Sequence, residues 1–122
     1  MSSIEELTQR VRAFADERNW GDFHTPKNLV MAAAGEMGEL VAEFQWLTPE
    51  QSVAVMGDGE AAGRVKAELG DVMIYLARLA DVLGVDLVQA GLDKLADSHR
   101  RYPADQVRGS AAKAPSDRPS AP

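Results

Sequence analysis

The segment from Glu60 to Leu83 is the sequence feature that most restricts the fold. Apolar side chains recur along it at helical spacing, and the segment ends at Gly84, where a glycine commonly terminates a helix. We expect a long helix with one apolar face. The members of that face are Val65, Leu69, Val72, Leu76, Leu79 and Leu83. Such a helix has to bury its face against other elements.

Three other segments have the same spacing. A first helix is predicted from the capping residue Ser3 to about Arg18, a second from Thr25-Pro26 to about residue 45, and a last from Asp86 to about Arg101. Thr48-Pro49 starts a short helix before a glycine-containing loop. The sequence therefore predicts an all-α domain over residues 1–102.

The C-terminal segment has a different composition. Residues 103–122 hold four of the six prolines together with Ser, Ala and Gly, and almost no large apolar side chains. Such a segment cannot offset the entropy lost on ordering. We predict a disordered tail.

Composition excludes several classes of function. The chain of 122 residues has no cysteine, which rules out disulfides, zinc-thiolate sites and thiol nucleophiles. A net charge of −6 argues against a nucleic-acid partner. The start lacks a signal pattern and no apolar run is long enough to span a bilayer, so we expect a cytoplasmic protein without a membrane partner. A chain this short gains from oligomerisation, and we expect a homo-oligomer.

Two acidic couplets lie on the predicted helices. Glu36 and Glu39 border the apolar stripe of the second helix, and Glu68 and Asp71 border that of the third long helix. If the stripes pack together, the acidic rows meet, and their repulsion requires a cation. Oxygen-only ligands favour Mg²⁺, with Mn²⁺ as a second option.

Two alternatives compete with this metal site. Acidic couplets are common on solvated helix faces, although two that both flank apolar stripes favour a shared site. Di-iron helix bundles use Glu-x-x-His couplets, and neither His24 nor His99 stands in that relation to an acid.

Aromatic and polar side chains concentrate near the second helix. They are Trp20, Phe23, His24, Lys27, Asn28 and Trp46. A nucleobase could stack on such rings while Asn or His reads its edge. The same tryptophans could instead fill a core or an interface, and His24 could merely lie at a helix entrance. Lys94 and Arg101 lie near a helix C-terminus, where the dipole favours cations, and could alternatively reach phosphates.

Longer motifs link these residues to a known family. The motifs are Glu17-Arg18-Asn19-Trp20, Phe23-His24 with Pro26 and Asn28-Leu29, Gly35-Glu36 with Gly38-Glu39-Leu40, Phe44-Gln45-Trp46, Glu68-Leu69 with Asp71-Val72 and Ile74-Tyr75-Leu76, and Arg100-Arg101-Tyr102-Pro103. From Ile4 to Pro103 the chain resembles the MazG-like, all-α nucleoside triphosphate pyrophosphohydrolases, and among them the dCTP pyrophosphatase branch.

The resemblance implies a four-helix fold assembled as a dimer or tetramer and the hydrolysis of a nucleoside triphosphate to the monophosphate and pyrophosphate. It implies that Glu36, Glu39, Glu68 and Asp71 hold Mg²⁺. Since the metal would activate a water for attack, one acid can serve as general base, and Glu36 or Glu39 is the candidate. It further implies a substrate site formed by Trp20, His24, Asn28, Trp46, Tyr75, Lys94 and Arg101.

The resemblance leaves the substrate open. The dCTP branch has Asn where this chain has Ser98, and His where it has Val11. We expect dCTP, a modified form of it or another non-canonical dNTP as substrate, in nucleotide-pool cleansing. The alternatives are a non-catalytic helical module that binds nucleotide, metal or a partner, and, within the superfamily, a phosphoribosyl-ATP pyrophosphohydrolase.

Overall fold

The computed structural model describes residues 3–114, and over this range the chain is all-α, with helices, one 3₁₀ turn and no strand. The helices are α1 (Ile4–Glu17), α2 (Pro26–Phe44), α3 (Pro49–Val53), α4 (Gly59–Leu83), α5 (Leu87–Arg101) and α6 (Ala104–Val107), and the 3₁₀ turn spans Val55–Gly57. The all-α prediction is confirmed, and the four long helices lie within a residue or two of their predicted bounds.

Capping groups fix the helix starts. The Thr25 hydroxyl accepts the Asn28 N–H at 3.3 Å, and Pro26 occupies the first helical position of α2. Thr48 and Gln51 form a reciprocal capping box at α3. Asp58 caps α4 by accepting two backbone N–H groups. Local sequence thus sets the boundaries before tertiary packing acts.

The chain divides into two compact units, Met1–Asp86 and Leu87–Pro122. In the first unit α4 packs against both α2 and α1. The apolar side chains buried between them are Ala15, Leu29, Val65, Ala77 and Ala80. Most of these are small, so the helix backbones approach closely.

Several large apolar residues remain exposed, which corrects the predicted α4 stripe. Val65 is buried, but Leu69 and Leu83 each keep 53% of their surface accessible and Leu76 keeps 38%. Ala77 and Ala80 are buried in the first unit, whereas no helix among the described residues of that unit covers Leu69, Leu76 and Leu83.

The second unit begins with α5 and continues into the segment predicted as a tail. The chain after α5 forms the short helix α6, and the Ala114 N–H donates to the Tyr102 hydroxyl while the Ala114 carbonyl accepts from Arg101 at 3.2 Å. The tail thus contacts the end of α5 as far as residue 114, and residues 115–122 lie outside the described part. Among the described residues, none of the helices has the length and hydropathy of a membrane span.

Gly84 ends α4 in the left-handed conformation, with φ of +68°. Val85 donates its N–H back to the Ala80 carbonyl at 2.8 Å, which completes the cap. We predict that Gly84→Ala lowers the free energy of unfolding by about 1 kcal/mol, because a Cβ disfavours positive φ. Denaturant titration measures the change.

Gly63→Ala is the matched control in the same helix. Its added Cβ meets no atom within 4 Å, and the residue lies inside α4 with ordinary helical geometry. This change should raise stability by up to about 1 kcal/mol, because alanine favours a helix interior. Equal effects of the two substitutions would contradict the assignment of Gly84 as a left-handed cap.

Candidate functional site

Four carboxylates converge where α2 packs on α4. Glu36 and Glu39 come from α2, and Glu68 and Asp71 from α4. One oxygen from each residue lies within 4.8 Å of the others. The couplets meet because each pair is one helical turn apart and lies beside the face that its helix buries.

Burial and repulsion disfavour the charges of this cluster. Glu36 Oε2 and Glu68 Oε2 are shielded from solvent and have no hydrogen-bond partner. Loss of solvation raises the pKa of Glu36, and Glu39 and Asp71 add to the increase. The pKa of Glu68 is raised first by loss of solvation and then by its contacts with Glu39. The cluster is therefore a source of instability at neutral pH.

A divalent cation fits these residues. The donor set consists of carboxylate oxygens, which hard cations prefer, and the two unpartnered oxygens are the groups that a cation would satisfy. The four carboxylates can thus hold a divalent cation.

The next acid along α2, Glu43, is paired with a cationic side chain. Glu43 continues the row of Glu36 and Glu39, but its Oε2 accepts from Arg64 Nε at 3.0 Å. The pair lines an open cleft of about 390 Å³ between the end of α2, α3 and the start of α4. Of the acids in this row on α2, Glu43 lines the cleft, and Glu36 and Glu39 do not. Sequence reasoning missed the pair, because Glu43 and Arg64 lie 21 residues apart.

A corner of aromatic and polar groups forms where α1 connects to α2. The Trp20 ring lies edge-on to Phe14, with centroids 5.6 Å apart, and edge-on to His24, with centroids 5.9 Å apart. Asn28 Nδ2 donates to the Phe23 carbonyl at 3.0 Å, so the amide nitrogen is hydrogen-bonded to the segment that connects α1 to α2. Trp20 keeps 40% of its surface accessible, so it does not fill the core.

Arg78 of α4 contacts this corner, and sequence reasoning missed it. The side chain is 8% exposed, and its Nε donates to His24 Nδ1 at 3.1 Å. Its Nη1 donates to Asp81 at 3.3 Å, and Asp81 also accepts from Arg12 Nε of α1 at 2.9 Å. Burial and the nearby Arg78 charge lower the pKa of His24, and the Arg12 hydrogen bond lowers that of Asp81. The only signal in the sequence is the spacing of Arg78 and Asp81, one helical turn apart.

The other predicted substrate residues lie at several places. Tyr75 is half-buried on α4, one turn after Asp71, and Trp46 follows α2 with 86% of its surface exposed. Lys94 and Arg101 belong to α5, where both lie within 4.0 Å of Asp97. The Ser98 hydroxyl donates to the Lys94 carbonyl at 3.0 Å. Contact of Tyr75, Trp46, Lys94 and Arg101 with a substrate stays a prediction. Lys94 and Arg101 lie on α5, which belongs to the second unit.

Comparisons with known proteins agree with this geometry. The chain is 40% identical to dCTP pyrophosphatase 1 of Bos taurus over 111 residues, which are 91% of this chain and 66% of that protein. Its identity to dCTP pyrophosphatase 1 of Homo sapiens is also 40%, over 65% of that protein. The chain thus spans slightly less than two thirds of the length of these relatives.

A solved structure matches over nearly its full length. A pyrophosphatase from Archaeoglobus fulgidus superimposes with a TM-score of 0.77 and 36% identity, over 84% of this chain and 94% of that one. No protein-family model matches the chain. The identity and coverage of these relatives show that the chain belongs to the MazG-like all-α nucleoside triphosphate pyrophosphohydrolase family, with the dCTP pyrophosphatases among its relatives.

Proposed function

We propose that the chain is a Mg²⁺-dependent pyrophosphohydrolase that converts a deoxynucleoside triphosphate, dCTP or a modified form of it, to the monophosphate and pyrophosphate. The observation that carries the proposal is the convergence of four carboxylates within 4.8 Å, two of them with buried, unpartnered oxygens. The relatives named dCTP pyrophosphatase support the substrate class. A cytoplasmic location and a role in nucleotide-pool cleansing are part of this proposal.

The carboxylates have distinct tasks in this proposal. Glu36, Glu39, Glu68 and Asp71 hold the cation, and Glu36 or Glu39 orients a water and takes up its proton. Bound Mg²⁺ would neutralise charge on the phosphates and lower the pKa of water. The pKa values of Glu36 and Glu68 are raised by burial and by neighbouring carboxylates, and a bound cation would favour their ionised forms.

The base end of the site lies at the corner of Trp20, His24 and Asn28. Stacking on an indole contributes about 1–3 kcal/mol per base and does not discriminate strongly among bases. Trp46 and Tyr75 would extend the site, and Lys94 and Arg101 would contact phosphates. Selectivity then depends on hydrogen bonds from this corner to the base edge.

A panel of deoxynucleoside triphosphates tests the reaction. With MgCl₂ we expect turnover of dCTP or a modified cytosine nucleotide, with pyrophosphate and monophosphate as products. Glu39→Gln should lower kcat by at least about 100-fold, because a carboxylate that stabilises the transition state is lost. Coupled pyrophosphate release measures the rate.

Glu43→Gln is the matched control, because Glu43 lies one turn further along the same row and pairs with Arg64. Its activity should stay within about twofold of the parent, since an exposed ion pair contributes little. Release of orthophosphate would refute cleavage to pyrophosphate, and nucleotide binding by calorimetry without any product would refute the hydrolase and favour a non-catalytic module.

Cation binding should depend on pH in a defined direction. The pKa values of Glu36 and Glu68 are raised in the folded chain, so without metal the folded state gains stability at low pH and loses it as the pH rises through these values. A cation requires ionised carboxylates. We therefore predict that MgCl₂ raises the melting temperature by several degrees at about pH 8 and much less at about pH 5.

Scanning calorimetry after EDTA treatment, with NaCl at equal ionic strength, measures this effect. Asp71→Asn should lose most of the Mg²⁺-induced rise, because one ligand becomes neutral. An equal rise with NaCl, or a Mg²⁺ effect that grows toward low pH, would rule out the carboxylate cluster as the cation site.

We further propose that the chain assembles as a homodimer or homotetramer. Large apolar side chains on α2 and α4 support this, since Met31, Val41, Leu69 and Met73 each keep at least 45% of their surface accessible. Such faces commonly mark subunit interfaces. Sedimentation velocity should detect a dimer or tetramer, and Met73→Lys should shift the population toward monomer. A monomer at all concentrations would contradict assembly.

A further inference from the structure

Arg78 is the one charged side chain that the structure buries among residues 3–114. A buried cation is costly unless hydrogen bonds and opposite charge compensate for lost hydration. Asp81 supplies the opposite charge at 3.3 Å, and Arg12 holds Asp81 from α1. The Nε–H of Arg78, however, is directed to a neutral imidazole. Ion pairing alone does not explain that contact.

The contact determines where the His24 proton lies. An arginine Nε carries a hydrogen at any ordinary pH and can only donate, so His24 Nδ1 has to accept with its lone pair. The neutral imidazole then carries its hydrogen on Nε2. A hydrogen on Nδ1 would place two donors 3.1 Å apart beside a buried cation. The tautomer is thus set by α4.

The imidazole is held on a second side. The Trp20 ring meets His24 at an interplanar angle of 65°, and Phe14 meets Trp20 at 74°. His24 nevertheless stays partly accessible, as does Trp20. A ligand stacked at this corner would meet a ring nitrogen that donates a hydrogen bond.

We propose that Arg78 is a positioning residue that holds His24 as the Nε2–H tautomer, so that this corner offers a hydrogen-bond donor to the nucleobase. The complementary group on the base is a carbonyl oxygen or an unprotonated ring nitrogen, such as those on the edge of cytosine, and not an amino group. The base contact rests on the proposed function, whereas the tautomer does not.

Nitrogen-15 NMR of histidine-labelled protein tests the tautomer. The chain has two histidines, and His99→Gln on the exposed surface of α5 leaves His24 as the only signal. At about pH 8, well above the ordinary histidine pKa, we expect one neutral form with a protonated Nε2 and a bare Nδ1. In the same background, Arg78→Met removes the donor while keeping an unbranched side chain, and both tautomers should then be populated.

Arg12→Gln is the control. It removes the second partner of Asp81 and an α1–α4 contact, but leaves the Arg78 to His24 hydrogen bond in place. Its His24 spectrum should match the parent. For the preferred nucleotide, Arg78→Met should raise KM about two- to threefold, because only part of the free protein then carries the Nε2–H tautomer, while kcat stays at the parent value.

The outcomes separate this inference from the proposed function. A parent spectrum with a protonated Nδ1 or mixed tautomers refutes the role of Arg78, even if Arg78→Met does not fold. An unchanged His24 spectrum in a folded Arg78→Met variant does the same. Mixed tautomers with an unchanged KM overturn the base contact. A parent with one Nε2–H tautomer but no hydrolysis supports the positioning and refutes the hydrolase.

Discussion

Mutual repulsion among four carboxylates opposes the packing of α2 on α4, and the rest of the structure has to accommodate this constraint. The packing of α2 on α4 that buries Leu29 and Val65 also brings the acidic couplets together, so apolar burial and charge repulsion act on the same interface. A cation held by these carboxylates would offset the repulsion. Folding and cation binding are therefore linked, and the site is stable in the form in which it is proposed to act.

Helix α4 connects the two ends of the site. Its first half carries Glu68 and Asp71, and its second half carries Arg78, which reaches His24. Asp71 and Arg78 are about two helical turns apart, or roughly 10 Å along the axis. That spacing is similar to the distance between the base and the phosphates of a nucleotide. A regular helix fixed by caps at Asp58 and Gly84 thus sets the separation between the acidic cluster and the proposed base contact.

Much of this architecture follows from local sequence. Thr25-Pro26, the Thr48 capping box and Gly84 mark helix ends through backbone chemistry that needs no tertiary contact, which is why the predicted bounds are close to those observed. The convergence of the carboxylates could also be anticipated, because helical periodicity places each couplet beside an apolar face.

Other features depend on partners distant in the chain. Leu69 and Leu83 follow the helical period yet stay exposed, because periodicity identifies an apolar face without identifying what covers it. Arg78 looks like a solvated position in an apolar helix. Its burial depends on His24, 54 residues earlier, and on Arg12 through Asp81. No local pattern encodes such contacts.

The linked side chains of Arg12, Arg78 and Asp81 have an evolutionary consequence. Loss of Asp81 alone would leave Arg78 buried without its counter-ion, and loss of Arg78 alone would leave His24 without its donor, so single substitutions are penalised. Simultaneous replacement of all three residues by apolar ones should lower stability far less than the sum of the three single substitutions. Sequence change at these positions should be epistatic, so that relatives keep the arrangement whole or lack it altogether.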